Sequence, residues 1–381
     1  MRATLPLMLT MVVASLGAAV ANASDPVDVR AMFHRGDRPV RVGSAPRDVG
    51  ADDAATCARC HGEIAAEWRA SQHAIAWSDE VFQAAYAVEP MQFCRNCHAP
   101  RARVGRVPDV FSQAEGVSCA VCHVRGGHLY GPARALAPTR GAHAAEAAVA
   151  MRTSAFCEGC HQFNFPADSG PGGEVYGTDE PMQNTHDEWA MSSAAREGTH
   201  CQDCHMPWVT SSDGRRHRSH AFPGGSDRAL LSEAVRVEGS ATRTARETVV
   251  RVAVLPGRIG HSFPTGDLFR RAELRVWADD DRAHAQTVAM ARSFRTELER
   301  DPHGRPVFVR RESGDTRVPP PGVGVITPTE LRLATRAHVV HWALDHMLMP
   351  SPMAASQGFG EARVRTTIAE GTLTVRNGDT P

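Results

Sequence analysis

Ten cysteines occur in this chain, and all ten fall into five pairs with two residues between and a histidine immediately after: Cys57-Ala-Arg-Cys60-His61, Cys94-Arg-Asn-Cys97-His98, Cys119-Ala-Val-Cys122-His123, Cys157-Glu-Gly-Cys160-His161 and Cys201-Gln-Asp-Cys204-His205. This is the attachment signature of c-type haem. The spacing has a geometric reason. On a short helical turn, positions i, i+3 and i+4 share one face, so two thiols can bond the haem vinyl groups while the histidine reaches the iron. Paired cysteines and histidines also bind zinc, but zinc would call for two such pairs per metal, and therefore an even number of them. A disulfide framework would not call for the histidines at all. Five covalently attached haem c groups are the expectation, with His61, His98, His123, His161 and His205 as proximal iron ligands.

The sixth position on each iron decides what the centre does. A second histidine gives a saturated iron suited to electron transfer, whereas an open position admits substrate. Fourteen further histidines are available. His73 follows His61 by twelve residues in an alanine- and glutamate-rich stretch that reads as mostly helical, so it is a distal candidate for a different haem and would tie two haem-binding segments together. His186 lies in Thr185-His186-Asp187-Glu188-Trp189-Ala190-Met191-Ser192, with Thr185 and Glu188 reading as a capping box. That piece shares Glu-Trp-x-x-Ser with Glu67-Trp68 and Ser71. His220 and His261 sit in glycine- and proline-bearing loops, each ahead of a phenylalanine. His128 and His143, near the third motif, compete for a remaining place. None of these stands out as partner for the haems of Cys94 to His98 or Cys119 to His123.

Around these residues the composition is that of a soluble protein. It is 42% hydrophobic and 22% charged over 381 residues, which excludes collagenous, wholly disordered and multi-span membrane chains. The formal charge of −1 leaves no basic excess for nucleic acid. Every basic residue is arginine, so a mechanism that needs a lysine amine is excluded. Met1-Arg2, the apolar run from Leu5 to Val20 and Ala21-Asn22-Ala23 read as a signal peptide over residues 1–23. A mature protein in the periplasm, or otherwise exported, is expected.

The chain then divides by pattern. Residues 24–55 lack periodicity and read as an extended lead-in. Residues 56–226 hold all five motifs, with 149 residues from Cys57 to His205, too little protein to bury five porphyrins conventionally. The haems themselves must supply the core of a mostly helical domain. Beyond it, residues 227–381 alternate with period two, as in Val250, Val252, Val254 and in Ala272, Leu274, Val276, Ala278. Further strands are expected at Val307 to Val309, Leu331 to Leu333, Val364 to Ile368 and Leu373 to Val375, while Ala337 to Leu348 suits helix or strand. The overall expectation is an α+β, multidomain chain: a haem-packed helical domain followed by an antiparallel β-sandwich.

On its five motifs, on Trp68-x-x-Ser71-x-His73, on Gly116-Val-Ser-Cys119-Ala-Val-Cys122-His123 and on Cys201-Gln-Asp-Cys204-His205-Met206-Pro207, the chain resembles the multihaem cytochromes c. These include the tetrahaem carriers of ammonia oxidisers, with hydroxylamine oxidoreductase and pentahaem nitrite reductase as more distant enzyme relatives. The resemblance covers roughly residues 55–225, and in that family histidines placed like His73 and His220 are distal ligands. The segment from Gly260 to Gly266 with its following strands looks like the β-domain of some multihaem cytochromes. Pentahaem nitrite reductases usually bind their catalytic haem through a lysine, which this chain lacks. Hydroxylamine oxidoreductases carry a cross-linked tyrosine, and no context singles out Tyr86, Tyr130 or Tyr176. An electron carrier between redox protein partners, donor and acceptor cytochromes or membrane oxidoreductases, is therefore expected ahead of an enzyme. Membrane association would come only through a partner. The alternative is a small-molecule oxidoreductase acting on nitrite, hydroxylamine, nitric oxide or a sulfur oxyanion at one open haem.

Overall fold

The computed structural model describes residues 42–133, 143–165, 175–176, 179–300 and 303–378. The expected signal peptide and the lead-in as far as residue 41 lie outside the described residues. The described end of the lead-in is docked rather than extended. Val42 is buried against Ala120, Val121 and Val124 of the third motif, and Asp52 pairs with Arg101 at 2.7 Å.

The first part of the chain is a run of short helices: α1 (Ala54–Ala58), α2 (Gly62–Arg69), α3 (Glu80–Val88), α4 (Gln92–His98), α5 (Val110–Glu115), α6 (Cys119–His123), α7 (Ala155–His161), α8 (Thr185–Met191), α9 (Ser193–Arg196), α10 (Cys201–His205) and α11 (Arg228–Ala234). Four of them start on an aspartate. Asp53, Asp79, Asp109 and Asp227 each accept a hydrogen bond from the backbone N–H three residues on, satisfying a donor that the first turn leaves unpaired. The stretch from Cys57 to His73 is not one helix. It breaks at His61, whose backbone is non-helical, and it leaves His73 in a turn beyond α2. The capping box expected at Thr185 is also absent. Asn184 occupies the cap position without a side-chain bond, because Glu188 turns outward to Thr265 and Arg317 instead.

Nine strands form the large sheet: β1 (Val175–Tyr176), β2 (Val235–Arg243), β3 (Thr248–Pro256), β4 (Arg271–Ala278), β5 (Gln286–Arg300), β6 (Pro306–Asp315), β7 (Thr329–Leu333), β8 (Val339–Met347) and β9 (Arg365–Asn377), in the order β7-β3-β2-β9-β8-β4-β5-β6-β1. The remaining helices, α12 (Ser351–Ser356) and α13 (Glu361–Val364), lie between β8 and β9. Period-two burial holds where it was expected, with Ala272, Leu274, Val276 and Ala278 of β4 alternately buried. The ambiguous stretch from Ala337 to Leu348 is strand β8 from Val339, because its β4 and β9 neighbours hydrogen-bond it on both sides.

Val250, Val252 and Val254 of β3 share one core with Leu274 and Val276 of β4 and Val340 and Leu344 of β8. The two halves of the sheet therefore face each other as in a sandwich, but two details differ from the antiparallel expectation. The halves are joined by β9, a single strand where two were read, which pairs antiparallel with β8 and then, from Val375 to Asn377, parallel with β2. A 13-residue strand is long enough to change partners along its length. The second parallel pairing is β6 with β1, and β1 belongs to the motif-bearing half. The two halves are stapled together elsewhere as well. Arg292 donates to the carbonyls of Met182 and Pro181, and the Ser193 N–H donates to the carbonyl of Pro321.

Candidate functional site

Each motif lies on a helix one or two turns long. Motifs two to five end α4, α6, α7 and α10 at their histidines, and the first spans α1 and the turn after it. Such a turn is the local structure that puts both thiols and the imidazole on one side. All ten thiols are free of disulfides.

Histidines from distant parts of the chain face four of the motif histidines. The ring centroids are 5.9 Å apart for His61 and His143, and 6.2 Å for His73 and His161, for His123 and His220, and for His205 and His261. Too far for ring contact, these separations have a simple reading. A metal–imidazole bond of about 2 Å, with the ring centre roughly 1 Å behind the bonding nitrogen, puts two trans imidazoles about 6 Å apart. Each pair therefore fits an iron atom between its rings.

The backbone prepares the rings for that role. The Nδ1–H groups of His98, His123, His205, His220 and His261 donate to the carbonyls of Ala76, Tyr130, Pro223, Arg218 and Ser262 at 2.6–2.9 Å. A carbonyl only accepts, so the proton sits on Nδ1 and Nε2 is left with its lone pair, and the hydrogen bond fixes the ring in the orientation and tautomer that a ligating histidine needs. Burial, the largest influence, lowers His73 to about 3 and His161 and His220 to about 4. It also lowers His61, His98, His123 and His261. These rings stay neutral at ordinary pH, the form a metal ligand must present.

Of the sequence candidates, His73, His143, His220 and His261 are brought opposite motif histidines; His128 and His186 are not. His128 is exposed and pairs with Glu146 at 2.7 Å, because the ribbon that carries it turns its side chain outward. His186 sits beside Trp189, its ring 5.3 Å away, in the first turn of α8. His143 faces the first motif rather than the nearby third. His98 differs from the other four. Among the described residues no histidine ring faces it, and the Phe82 ring of α3 stacks on it at 3.7 Å and 7°. His346 is a further histidine, one that the sequence does not single out. It is 3% exposed with an unpartnered Nδ1, and burial lowers it to about 3.

The motifs touch one another in a definite order. Cys57 of the first motif lies beside Cys119 of the third, Cys97 of the second beside Cys160 of the fourth, and Cys157 of the fourth beside Cys201 of the fifth. Cys160 of the fourth motif is also near enough to Cys122 of the third to raise its thiol, behind the larger effect of burial. The first motif thus abuts the third, the third the fourth, and the fourth both the second and the fifth. One hinge of this packing is Gly116, which closes α5 at φ 49°; a Cβ there would come 2.6 Å from the carbonyl oxygens of His73 and Ala74. Val117 next to it donates its N–H to the His73 carbonyl at 2.9 Å.

Comparison with known proteins agrees with this architecture. Residues 56–124, covering the first three motifs, match the family described as cytochrome c554 and c-prime. No curated protein matches the sequence. Among solved structures, a penta-haem cytochrome c552 from Thermochromatium tepidum is similar, with a TM-score of 0.63 at 20% identity, over 86% of this chain and 100% of that one. The family match places residues 56–124 with the multihaem cytochromes c, and the structural likeness shows a shared fold.

Proposed function

We propose that this chain is an exported electron carrier holding five haem c groups, one on each cysteine pair. His61, His98, His123, His161 and His205 are the proximal ligands, and His143, His220, His73 and His261 are the distal ligands opposite His61, His123, His161 and His205. Haem iron supplies one-electron chemistry by cycling between its ferric and ferrous states. The chain would hold the paired imidazoles of His61 and His143, His123 and His220, His161 and His73, and His205 and His261 in place about the group, which would keep reorganisation on electron transfer small. The observation that carries the reading is the repeated 5.9–6.2 Å separation of histidine rings beside four of five attachment motifs.

The closeness of the motif cysteines to one another supports a branched route: first to third to fourth, with the second and fifth both on the fourth. Electrons would enter and leave at its three ends. The partners are redox proteins, donor and acceptor cytochromes or membrane oxidoreductases, and no nucleic acid is involved. Among the described residues no helix is long and apolar enough to cross a membrane, so contact with a membrane would run through a partner. The test is the mass of the purified protein together with its absorption and electron paramagnetic resonance spectra. Five added haems, mostly low-spin, are expected; a colourless protein with no added mass refutes the proposal.

One observation favours a second reading. Among the described residues His98 has no facing histidine, so its haem would keep an open position for a small ligand such as nitrite, hydroxylamine or nitric oxide. Cyanide or nitric oxide binding to one haem in five would support it, and a wholly low-spin protein inert to both would exclude it.

A further inference from the structure

Two short helices far apart in sequence make the same set of contacts. In α2 and the turn after it, the Trp68 indole N–H donates to the carbonyl of Val117, two residues before Cys119, at 2.8 Å. In α8, the Trp189 indole N–H donates to the carbonyl of Thr199, two residues before Cys201, at 2.8 Å. Three residues after each tryptophan a buried serine closes the turn. Ser71 and Ser192 both donate their hydroxyls to the tryptophan carbonyl at 2.7 Å and accept from the backbone N–H three residues on.

The glutamate before each tryptophan reaches the other way. Glu67 accepts from the backbone N–H of His220 at 2.8 Å, and Glu188 accepts from the hydroxyl of Thr265 at 2.8 Å. Both loops held in this manner read His-x-Phe-Pro, at His220-Ala221-Phe222-Pro223 and His261-Ser262-Phe263-Pro264. His220 faces His123, the histidine of the motif that Trp68 anchors. His261 faces His205, the histidine of the motif that Trp189 anchors.

We propose that Glu-Trp-x-x-Ser is a haem clamp used twice in this chain, the tryptophan holding the proximal segment and the glutamate holding the distal loop of the same haem. Glu67 and Glu188 are thereby positioning residues for the distal ligands His220 and His261. The inference rests on the reading of the facing histidines as axial ligands. It goes beyond that reading in assigning one helical turn to set the distance between the two ligands of each haem. In water-filled surroundings such contacts would be worth little, but Ser71, Ser192, Trp68 and Glu188 are all buried, where an unpaired polar group is costly and a satisfied one rigid.

The experiment uses the haem-loaded full chain and reads electron paramagnetic resonance and cyanide binding. His220→Ala and His261→Ala provide the high-spin fingerprints of the two haems. Glu67→Ala should then yield part of the His220→Ala fingerprint and leave the His261→Ala one absent, with cyanide affinity at that haem rising at least tenfold. Glu67→Gln, which keeps an acceptor oxygen, should restore the low-spin state. Glu188→Ala removes the partner of a buried arginine and can fail to fold, so Thr265→Val serves for the second clamp and should yield only the His261→Ala fingerprint. A role in general stability would loosen both haems together or neither, and either outcome overturns the proposal. If the unmodified protein shows no paired low-spin haems, the ligand reading itself has failed, a result distinct from failure of the clamp.

Discussion

Glu188 and Arg317 form the most enclosed ion pair between the motif-bearing half and the β-strand half, with side chains 3% and 6% exposed and Nη2 2.6 Å from Oε1. Replacing Arg317 with methionine removes the cation and leaves the carboxylate buried with only Thr265 to satisfy it. Breaking a buried pair by removing one partner costs about 3–5 kcal/mol, because the remaining charge has already lost its water. At roughly 2 °C per kcal/mol for a protein of this size, the thermal midpoint should fall by about 6–10 °C. Circular dichroism at one scan rate on the haem-loaded protein measures it. The double variant Glu188→Leu with Arg317→Met removes both charges of this pair and should recover part of the loss, the rest being the Arg317 contacts to Asp315 and the Pro264 carbonyl and the Thr265 contact of Glu188. A single variant that melts within 2 °C of the parent, or a double variant no better than the single, would refute this account of the interface.

Three further outcomes follow from the same structure. His73→Ala should convert one low-spin haem, that of Cys157 to His161, to high-spin while the other spectra stay in place, as read by electron paramagnetic resonance; an unchanged spectrum would mean that His73 is no ligand. Gly116→Ala should disturb the same haem without altering a ligand side chain, because the added methyl meets the backbone carbonyls of His73 and Ala74 at 2.6 Å, and its readout is the ratio of high-spin to low-spin signal. Asp345 is fully buried, and although burial pushes its carboxyl up, hydrogen bonds from Arg275, Thr367 and Arg365 outweigh that and lower it. A depressed folded value means that this contribution is complete above the unfolded carboxylate value of about 3.9 and is lost as pH falls through the folded one. Asp345→Asn should therefore be less stable than the parent at pH 7 and nearer to it at pH 3 in urea titrations.

That haem c is the kind of cofactor was legible in the sequence because the signature is local: two thiols and an imidazole within five residues define their own helical turn, whatever surrounds them. The β-strands were legible for a similar reason, since alternation in Val250 to Val254 and in Ala272 to Ala278 needs only one buried face. The stretch from Cys57 to His73 is mostly helical as read, but alanine and glutamate carry no warning of the break at His61, where the backbone leaves the helical region.

What the residues in order could not decide was which histidine looks at which. His143 lies near the third motif in sequence and faces the first, His73 leaves the first segment to face the fourth, and His261 crosses from the β-strand half to face the fifth. His128 and His186 looked equally fit and face none of them. A facing histidine pair spanning 56 to 97 residues of chain is settled by long-range packing, here by the strand half of the molecule and the contacts of Glu67 and Glu188. Nothing in a side chain's own neighbours reports where such packing will take it.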